Sequence, residues 1–124
     1  MKKAEPFRKL DFQVPVKTVS EANQREHWAV KNKRKKAQQL EVAVAWHNNL
    51  GGRRVQLPCV VKLTRIGPRK LDGDNLAGAM KHCQDEIARR LGVDDGDDKN
   101  VQWVYSQMPV GIRDYALKVE INSV

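Results

Sequence analysis

The segment DGDNLAGAMKHCQDEIARRLG, residues 72–92, contains the clearest structural signal in this chain. Its apolar residues recur at spacings of three and four positions, and they are Leu76, Met80, Cys83, Ile87 and Leu91. That spacing places them on one face of a helix. Asp74 is a natural N-cap for this helix, and Gly92 is a natural residue to end it. We therefore predict an amphipathic helix that packs this face on a core.

Four short segments around this helix have the patterns of β-strands. Residues 59–66 are rich in β-branched side chains, whereas residues 9–16, 101–106 and 117–122 alternate apolar with polar side chains. The last two segments are separated by a turn at residues 109–114. We therefore expect them to pair as an antiparallel hairpin.

A second, longer helix is predicted between the first two strands. Residues 28–50 contain neither Gly nor Pro, and Gly51-Gly52 follows as a stop signal. The first half of this helix is basic. The second half is apolar over a wide arc and is expected to be packed, through Leu40, Val42, Val44, Trp46 and Leu50. The order β-α-β-α-β-β predicts a single α+β domain over residues 1–124, with two main helices and a mixed sheet of about four strands.

The distribution of charge points to a polyanionic partner. The 124-residue chain has a formal net charge of +8. Eight of its 15 acidic residues lie between Asp72 and Asp98, against three basic residues, so this stretch carries −5 and the remainder +13. Lys and Arg that neutralise phosphates supply sequence-independent affinity for nucleic acid. The acidic stretch favours an enzyme that cuts phosphodiesters, because carboxylates hold the divalent cations that this chemistry uses.

Cysteine content and hydropathy bear on the location of the protein. Cys59 and Cys83 are in no zinc-binding arrangement, so we expect both to be reduced core residues. Met1-Lys2-Lys3 is not followed by the apolar run of a signal peptide, and no stretch approaches the ~20 apolar residues of a membrane span. We expect a cytoplasmic protein without membrane association.

Two groups of carboxylates flank the amphipathic helix predicted within residues 72–92. Asp72 and Asp74 stand where a loop becomes the helix, and both can converge on one Mg²⁺, which takes oxygen ligands and retains waters. Asp97 or Asp98, in the loop after the helix, is the candidate third ligand. Because the helix is roughly 25 Å long, this loop has to fold back along the sheet. The alternative is that the first pair are turn and cap residues and the second group is a solvated loop.

The sequence around these acids resembles the RusA family of Holliday junction resolvases. The matching features are Lys70-Leu71-Asp72-Gly73-Asp74-Asn75-Leu76 opening a helix, Gly92-Val93 at its end, and Asp97-Asp98 before a Val-rich strand. A looser similarity covers residues 23–28, so the resemblance spans nearly the whole chain. It implies an enzyme that uses Mg²⁺, with Mn²⁺ as an alternative ion, to hydrolyse DNA strands at a four-way junction. It also implies a homodimer.

The resemblance further implies roles for individual residues. The family's three catalytic, metal-binding aspartates match Asp72, Asp74 and Asp98. Asp97 would be a further metal ligand. The family's catalytic lysine falls at Gly78, four residues after Asp74, where this chain has no ammonium group. Lys81 lies one further helical turn along, on the same side of the helix, and is the candidate replacement.

Basic and aromatic residues are candidate DNA contacts. The basic candidates are Lys31, Lys33, Arg34, Lys35, Lys36, Arg69, Lys70 and Arg25, with Arg53, Arg54 and Arg65 as further ones. A solvated helix face is the other interpretation of the run at residues 31–36. Trp28, Trp46 and Trp103 could stack on unpaired bases, but Trp46 and Trp103 lie on apolar faces and are expected in the core.

Two other functions fit some of these features. A non-catalytic DNA-binding or replication accessory protein would use the acidic loop to contact a basic partner, and would show no nuclease activity with Mg²⁺ or Mn²⁺. A nucleotidyltransferase also uses Asp-x-Asp and a distant third carboxylate. Its motif normally lies within an apolar strand, however, whereas here Asn75 and a helix follow.

Overall fold

Two helices and four strands follow one another in the predicted order. The computed structural model describes residues 5–20, 27–94, 96–110 and 114–124. The elements are β1 (Lys9–Val14), α1 (Trp28–Leu50), β2 (Cys59–Gly67), α2 (Gly73–Leu91), β3 (Val101–Pro109) and β4 (Ala116–Ser123). The strands form one mixed sheet, which confirms the predicted α+β class. Within these residues, neither helix has the length and apolar character needed to cross a membrane.

The pairing of the strands differs from the predicted hairpin. The order in the sheet is β1-β4-β2-β3, so β4 lies between β1 and β2 and is antiparallel to both. β3 pairs in parallel with β2, from Val101 opposite Cys59 to Pro109 opposite Gly67. The reason is that α2 returns the chain to the start of β2, and a strand that follows such a crossover lies parallel to the first strand. The prediction of an antiparallel hairpin between β3 and β4 is therefore wrong.

The sheet has two distinct ends, because β1, β2 and β3 run in the same direction. We call the end where these strands finish the carboxyl end, and the end where they begin the amino end. α1 follows β1 and α2 follows β2, so both helices start at the carboxyl end and run back to the amino end. The Gln39 side chain of α1 donates to the carbonyl oxygen of His82 in α2 (3.2 Å). The two helices are therefore parallel neighbours.

Both helices pack on the same face of the sheet. Strand residues on this face are fully buried and apolar, among them Val61, Leu63, Leu117, Val119 and Ile121. They form one core cluster with Val42, Trp46 and Leu50 of α1 and with Met80, Cys83 and Ile87 of α2. Burying a large side chain of this kind stabilises the fold by roughly 1.5–3 kcal/mol. The alternation of apolar and polar side chains along the strands thus arises, as expected, because the helices cover one face of the sheet.

The second half of α1 is packed on one side only. Val42, Trp46 and Leu50 are buried as predicted, but Leu40 and Val44 are 63% and 49% exposed. The prediction that the whole apolar arc is packed is therefore wrong. α1 contacts β1 and α2, and these two neighbours cover only part of the arc.

Both cysteines are buried and free, as predicted. Burial raises the pKa of Cys59, and it raises the pKa of Cys83 to about 12. Since the thiolate is the reactive form of cysteine, neither side chain is reactive at neutral pH in the folded protein. Both act as small apolar core residues.

Candidate active site

Asp72 and Asp74 lie at the start of α2, at the carboxyl end of the sheet. Because the helix begins at Gly73, Asp72 occupies the N-cap position that we predicted for Asp74. The Asp72 backbone is extended (φ −63°, ψ 158°), and its side chain makes no capping hydrogen bond. Both carboxylates are exposed, and no described residue forms a hydrogen bond or ion pair with either one. The two side chains of this acidic turn, residues 72–75, are therefore available to a cation.

The backbone just before the acidic turn is held by the neighbouring strand. Gln107 of β3 donates from Nε2 to the Leu71 carbonyl oxygen and accepts from the Leu71 N–H at Oε1, both at 2.8 Å. Ser20 donates to Oδ1 of Asn75 (3.0 Å), which ties the segment before α1 to the first turn of α2. Sequence reasoning missed both residues. In the sequence, the only indication of this role for Gln107 is that a polar residue occupies a β3 position whose side chain points to the helix-covered face of the sheet.

Arg65 supports the same region from inside the fold. Its side chain is 6% exposed, and Nη1 donates to the Arg69 carbonyl oxygen (2.6 Å). A Cβ at Gly67 would lie 3.1 Å from the guanidinium, so the chain passes closely over it. Burial lowers the pKa of Arg65, and its Nε has no hydrogen-bond partner. Arg65 therefore has a structural role, contrary to the phosphate contact that we predicted for it.

Asp97 and Asp98 lie at the amino end of the sheet, in the loop before β3. Oδ1 of Asp97 accepts from the backbone N–H groups of Lys99 and Asn100, and Oδ2 accepts from Nδ2 of Asn100 at 2.8 Å. These hydrogen bonds, chiefly the one from the Asn100 side chain, lower the pKa of Asp97. Asp98 is exposed and, in the part of the chain that the structure describes, engages no such partner. Of these two carboxylates, Asp97 is therefore held by local hydrogen bonds among the described residues and Asp98 is not.

The two acid groups do not meet within one chain. Gln107, which holds Leu71 beside the acidic turn, lies six residues after Val101 in an extended strand, about 20 Å away. Asp98 precedes Val101, at the opposite end. Across the described ranges, no group of three or more His, Cys, Asp or Glu side chains is arranged to hold a metal ion. The fold-back expected from the sequence does not occur, because β3 pairs along the whole length of β2.

Gly78 and Lys81 lie on α2 beyond the acidic turn. A Cβ at Gly78 would meet no atom within 4 Å, so this position has space for a side chain. Nζ of Lys81 lies 3.0 Å from Oδ1 of Asp85, an ion pair one turn further along the helix. The carboxylate partner of Lys81 thus lies further along the helix from the acidic turn than Lys81 itself does. The catalytic role of Lys81 stays a prediction.

The basic run begins at the same end of the molecule as the acidic turn. Its members occupy the first turns of α1 and are exposed or half-buried, and they are Lys31, Lys33, Arg34, Lys35 and Lys36. Arg69 and Lys70, just before the acidic turn, are also exposed. Arg25 lies outside the described residues. Exposed cations and partner-free carboxylates therefore share the carboxyl end.

The three tryptophans have different environments. Trp46 is buried and packs edge-on against Phe12, with ring centroids 6.1 Å apart. Trp103 is half-buried against the core cluster, and its indole nitrogen has no hydrogen-bond partner. Both positions agree with the predicted core placement. Trp28, in contrast, is 71% exposed.

Comparison of the sequence with protein-family models and with curated proteins finds no match. A fold alone does not define an activity, so the function has to be argued from the site. The fold and the site together define a class: an α+β domain with an exposed carboxylate pair at its basic end.

Proposed function

We propose that this protein is a Mg²⁺-dependent endonuclease that cuts branched DNA, of the RusA Holliday junction resolvase type. The observation that carries the proposal is the juxtaposition of the acidic turn with the basic first half of α1 at the carboxyl end. Carboxylates beside DNA-binding cations repel phosphates, so they are unfavourable in a protein that only coats DNA. A nuclease needs both features, since the cations bind the DNA backbone and the carboxylates hold the metal ion.

The donor atoms of the acidic turn suit Mg²⁺. Asp72 and Asp74 offer exposed carboxylate oxygens, and Mg²⁺ is commonly bound through one or two carboxylates while it keeps several waters. When bound, Mg²⁺ offsets phosphate charge and makes water more acidic. Asp72 and Asp74 would orient the ion, and exposed side chains such as Lys33 would hold the DNA backbone against it. This division of roles follows the charges of the residues present.

A second copy of the chain would supply the third carboxylate. A two-fold axis perpendicular to the strands would place the amino end of one copy beside the carboxyl end of the other. In that arrangement, Asp98 of the partner subunit approaches the Asp72 and Asp74 side chains. Because the acid groups are separated within one chain, a site with three carboxylates requires the homodimer that the resemblance implies. Two such sites would also match the two strands that a junction presents for symmetric cutting.

The free edge of β3 is the contact that we propose for this dimer. β3 is the outermost strand, it has nine residues, and its sequence VQWVYSQMP contains no charged side chain. Edge strands are normally protected from pairing by Lys, Pro or a bulge. Pro109 is the last residue of β3, so it protects only one end. Antiparallel pairing of two such edges would bring opposite ends of the two copies together.

Cleavage of a synthetic four-way junction tests the proposal. Purified protein with Mg²⁺ is expected to nick the labelled junction in preference to a matched linear duplex, and EDTA is expected to stop the reaction. Asp72→Asn, Asp74→Asn and Asp98→Asn should each reduce cleavage by about 100-fold or more, because each change removes a charged ligand. Junction binding in EDTA should persist in all three variants.

Asp11→Asn is the matched control, since Asp11 is an exposed carboxylate on β1 outside the candidate site. It should cut at the rate of the unchanged protein. Mg²⁺-dependent cutting by a purified Asp72→Asn or Asp74→Asn variant at a rate close to that of the unchanged protein would defeat the assignment. Tight junction binding with no cleavage in either Mg²⁺ or Mn²⁺ would instead select the non-catalytic DNA-binding protein.

A further inference from the structure

We infer that Trp28 and its neighbours form a binding site for an unpaired nucleobase of the DNA substrate, an inference that rests on the proposed function. Trp28 is the first residue of α1 and is 71% exposed. Among the described large apolar side chains, only that of Val124, at 88%, is more exposed. A tryptophan offers 150–250 Å² of largely apolar surface, roughly, whose exposure to water is unfavourable. At this exposure the indole face is accessible to a stacking base.

The indole is presented from a defined position. His27 is the N-cap of α1, and its Nδ1 accepts a hydrogen bond from the Ala29 N–H (3.2 Å). The His27 and Trp28 rings lie 5.5 Å apart, centroid to centroid, with an angle of 35° between their planes. The capping contact fixes the imidazole, and the imidazole flanks one side of the indole. An aromatic platform with restricted orientation suits base stacking, because little rotamer freedom is lost on binding.

Two lysine side chains of the same helix lie beside this platform. Trp28 lines an open recess of about 500 Å³ together with Lys31, Asn32, Lys35 and His82. The recess is open to solvent, so it suits a base that stacks on one face rather than an enclosed ligand. The indole face can stack on a base of any type, while the two lysine ammonium groups attract the adjacent phosphates. Asn32 adds an amide that can hydrogen-bond to the edge of the base.

The recess lies at the end of the molecule that bears the acidic turn. α1 and α2 both begin at the carboxyl end, and the Ser20–Asn75 hydrogen bond joins the segment before α1 to the acidic turn. A base lifted out of a duplex near the crossover of a junction would therefore stack close to the strand that is cut. The site would recognise the loss of pairing at a branch point, which a linear duplex does not offer.

Binding measurements in EDTA test this inference without any need for cleavage. The probes are a four-way junction with two unpaired thymines at the crossover and a fully paired linear duplex. Trp28→Ala should weaken binding of the first probe by about 5- to 150-fold, the range for loss of one stacked base, and should leave duplex binding unchanged. Trp28→Phe should retain most of the affinity. Unpaired DNA should quench the fluorescence of the unchanged protein, and Trp28→Phe should abolish this quenching.

Leu40→Ala is the matched control, because Leu40 is 63% exposed on the same helix and does not line the recess. Equal binding of both probes by Trp28→Ala and Leu40→Ala would overturn the inference. A fluorescence change with protein concentration alone that is present in the unchanged protein and absent in Trp28→Phe would also overturn it, since a second copy would then cover the indole. If the protein cuts no DNA but shows the Trp28-dependent binding, the nuclease proposal fails and the base-binding site stands.

Discussion

Gln107 is the residue through which the sheet positions the acidic turn. Its side-chain amide satisfies both backbone groups of Leu71, directly before Asp72. Two such hydrogen bonds contribute roughly 1–3 kcal/mol to stability. Under the proposed function their larger effect concerns geometry, since a displacement of catalytic groups by about 1 Å lowers a reaction rate roughly 100-fold. The sequence does not reveal this role, because the contact depends on β3 lying beside β2.

Gln107→Ala is therefore expected to impair catalysis more than binding. The kcat for junction cleavage should fall roughly tenfold or more, while the KM stays within about a factor of two, because the basic run is untouched. Gln13→Ala, at an exposed position of β1 outside the candidate site, serves as the control. A wild-type kcat for Gln107→Ala, or a proportional loss of folded protein, would contradict the positioning role.

At the scale of the element, α2 shows what the sequence can and cannot predict. Its apolar spacing and Gly92 predicted the helix and its end, because both signals are local: Gly92 adopts the left-handed conformation (φ 78°) that ends the helix. The start was predicted less well. Asp74 and Asp72 are both suitable caps by residue type, and the helix extends to Gly73 even though no side chain caps it.

Gly78→Lys in α2 should increase both stability and cleavage. Glycine within a helix costs about 1 kcal/mol relative to good helix formers, and a Cβ at position 78 meets no atom within 4 Å. The melting temperature should rise by roughly 2–6 °C in a thermal scan. The new ammonium lies one helical turn after Asp74, where it can offset charge on the phosphate in the transition state.

Gly78→Gln separates the two effects, because it restores helix propensity without adding a charge. It should stabilise the protein to a similar extent and leave the cleavage rate unchanged. If Gly78→Lys and Gly78→Gln cut equally fast, a lysine at this position contributes nothing to catalysis in this chain.

At the scale of the whole molecule, topology limited what could be predicted. The strands, the helices and the buried face follow from local patterns, as the full burial of Leu63 and Val119 shows. The order β1-β4-β2-β3 does not, because an alternating strand such as β4 can pair at an edge or between two strands. The prediction that Asp98 reaches the acidic turn of its own chain also depended on the strand order, which local patterns do not reveal. Both errors trace to the parallel placement of β3.

Mixing two inactive variants tests whether the active site spans two subunits. In a mixed dimer of Asp72→Asn and Asp98→Asn, one site combines an intact Asp72 with Asp98 of the partner subunit. Free exchange makes about half of the dimers mixed, so cleavage should return to about a quarter of the unchanged protein's rate. The product should be singly nicked junctions, because each mixed dimer has one intact site.

Mixing Asp72→Asn with Asp74→Asn is the control, since both changes affect the acidic turn and leave every composite site damaged. Recovery in the first mixture alone supports the shared site. Equal failure of both mixtures, under conditions where subunits exchange, would show that the site does not draw on two chains.

The parallel course of α1 and α2 has an electrostatic consequence for approaching DNA. Neighbouring helices that run in opposite directions cancel their peptide dipoles, but here the dipoles add, and each N-terminus contributes roughly half a positive elementary charge. At the opposite end of α2, Arg89 and Arg90 offset the corresponding negative charge. The backbone itself therefore makes the end with Asp72 and Asp74 less repulsive to phosphates than a count of its carboxylates suggests.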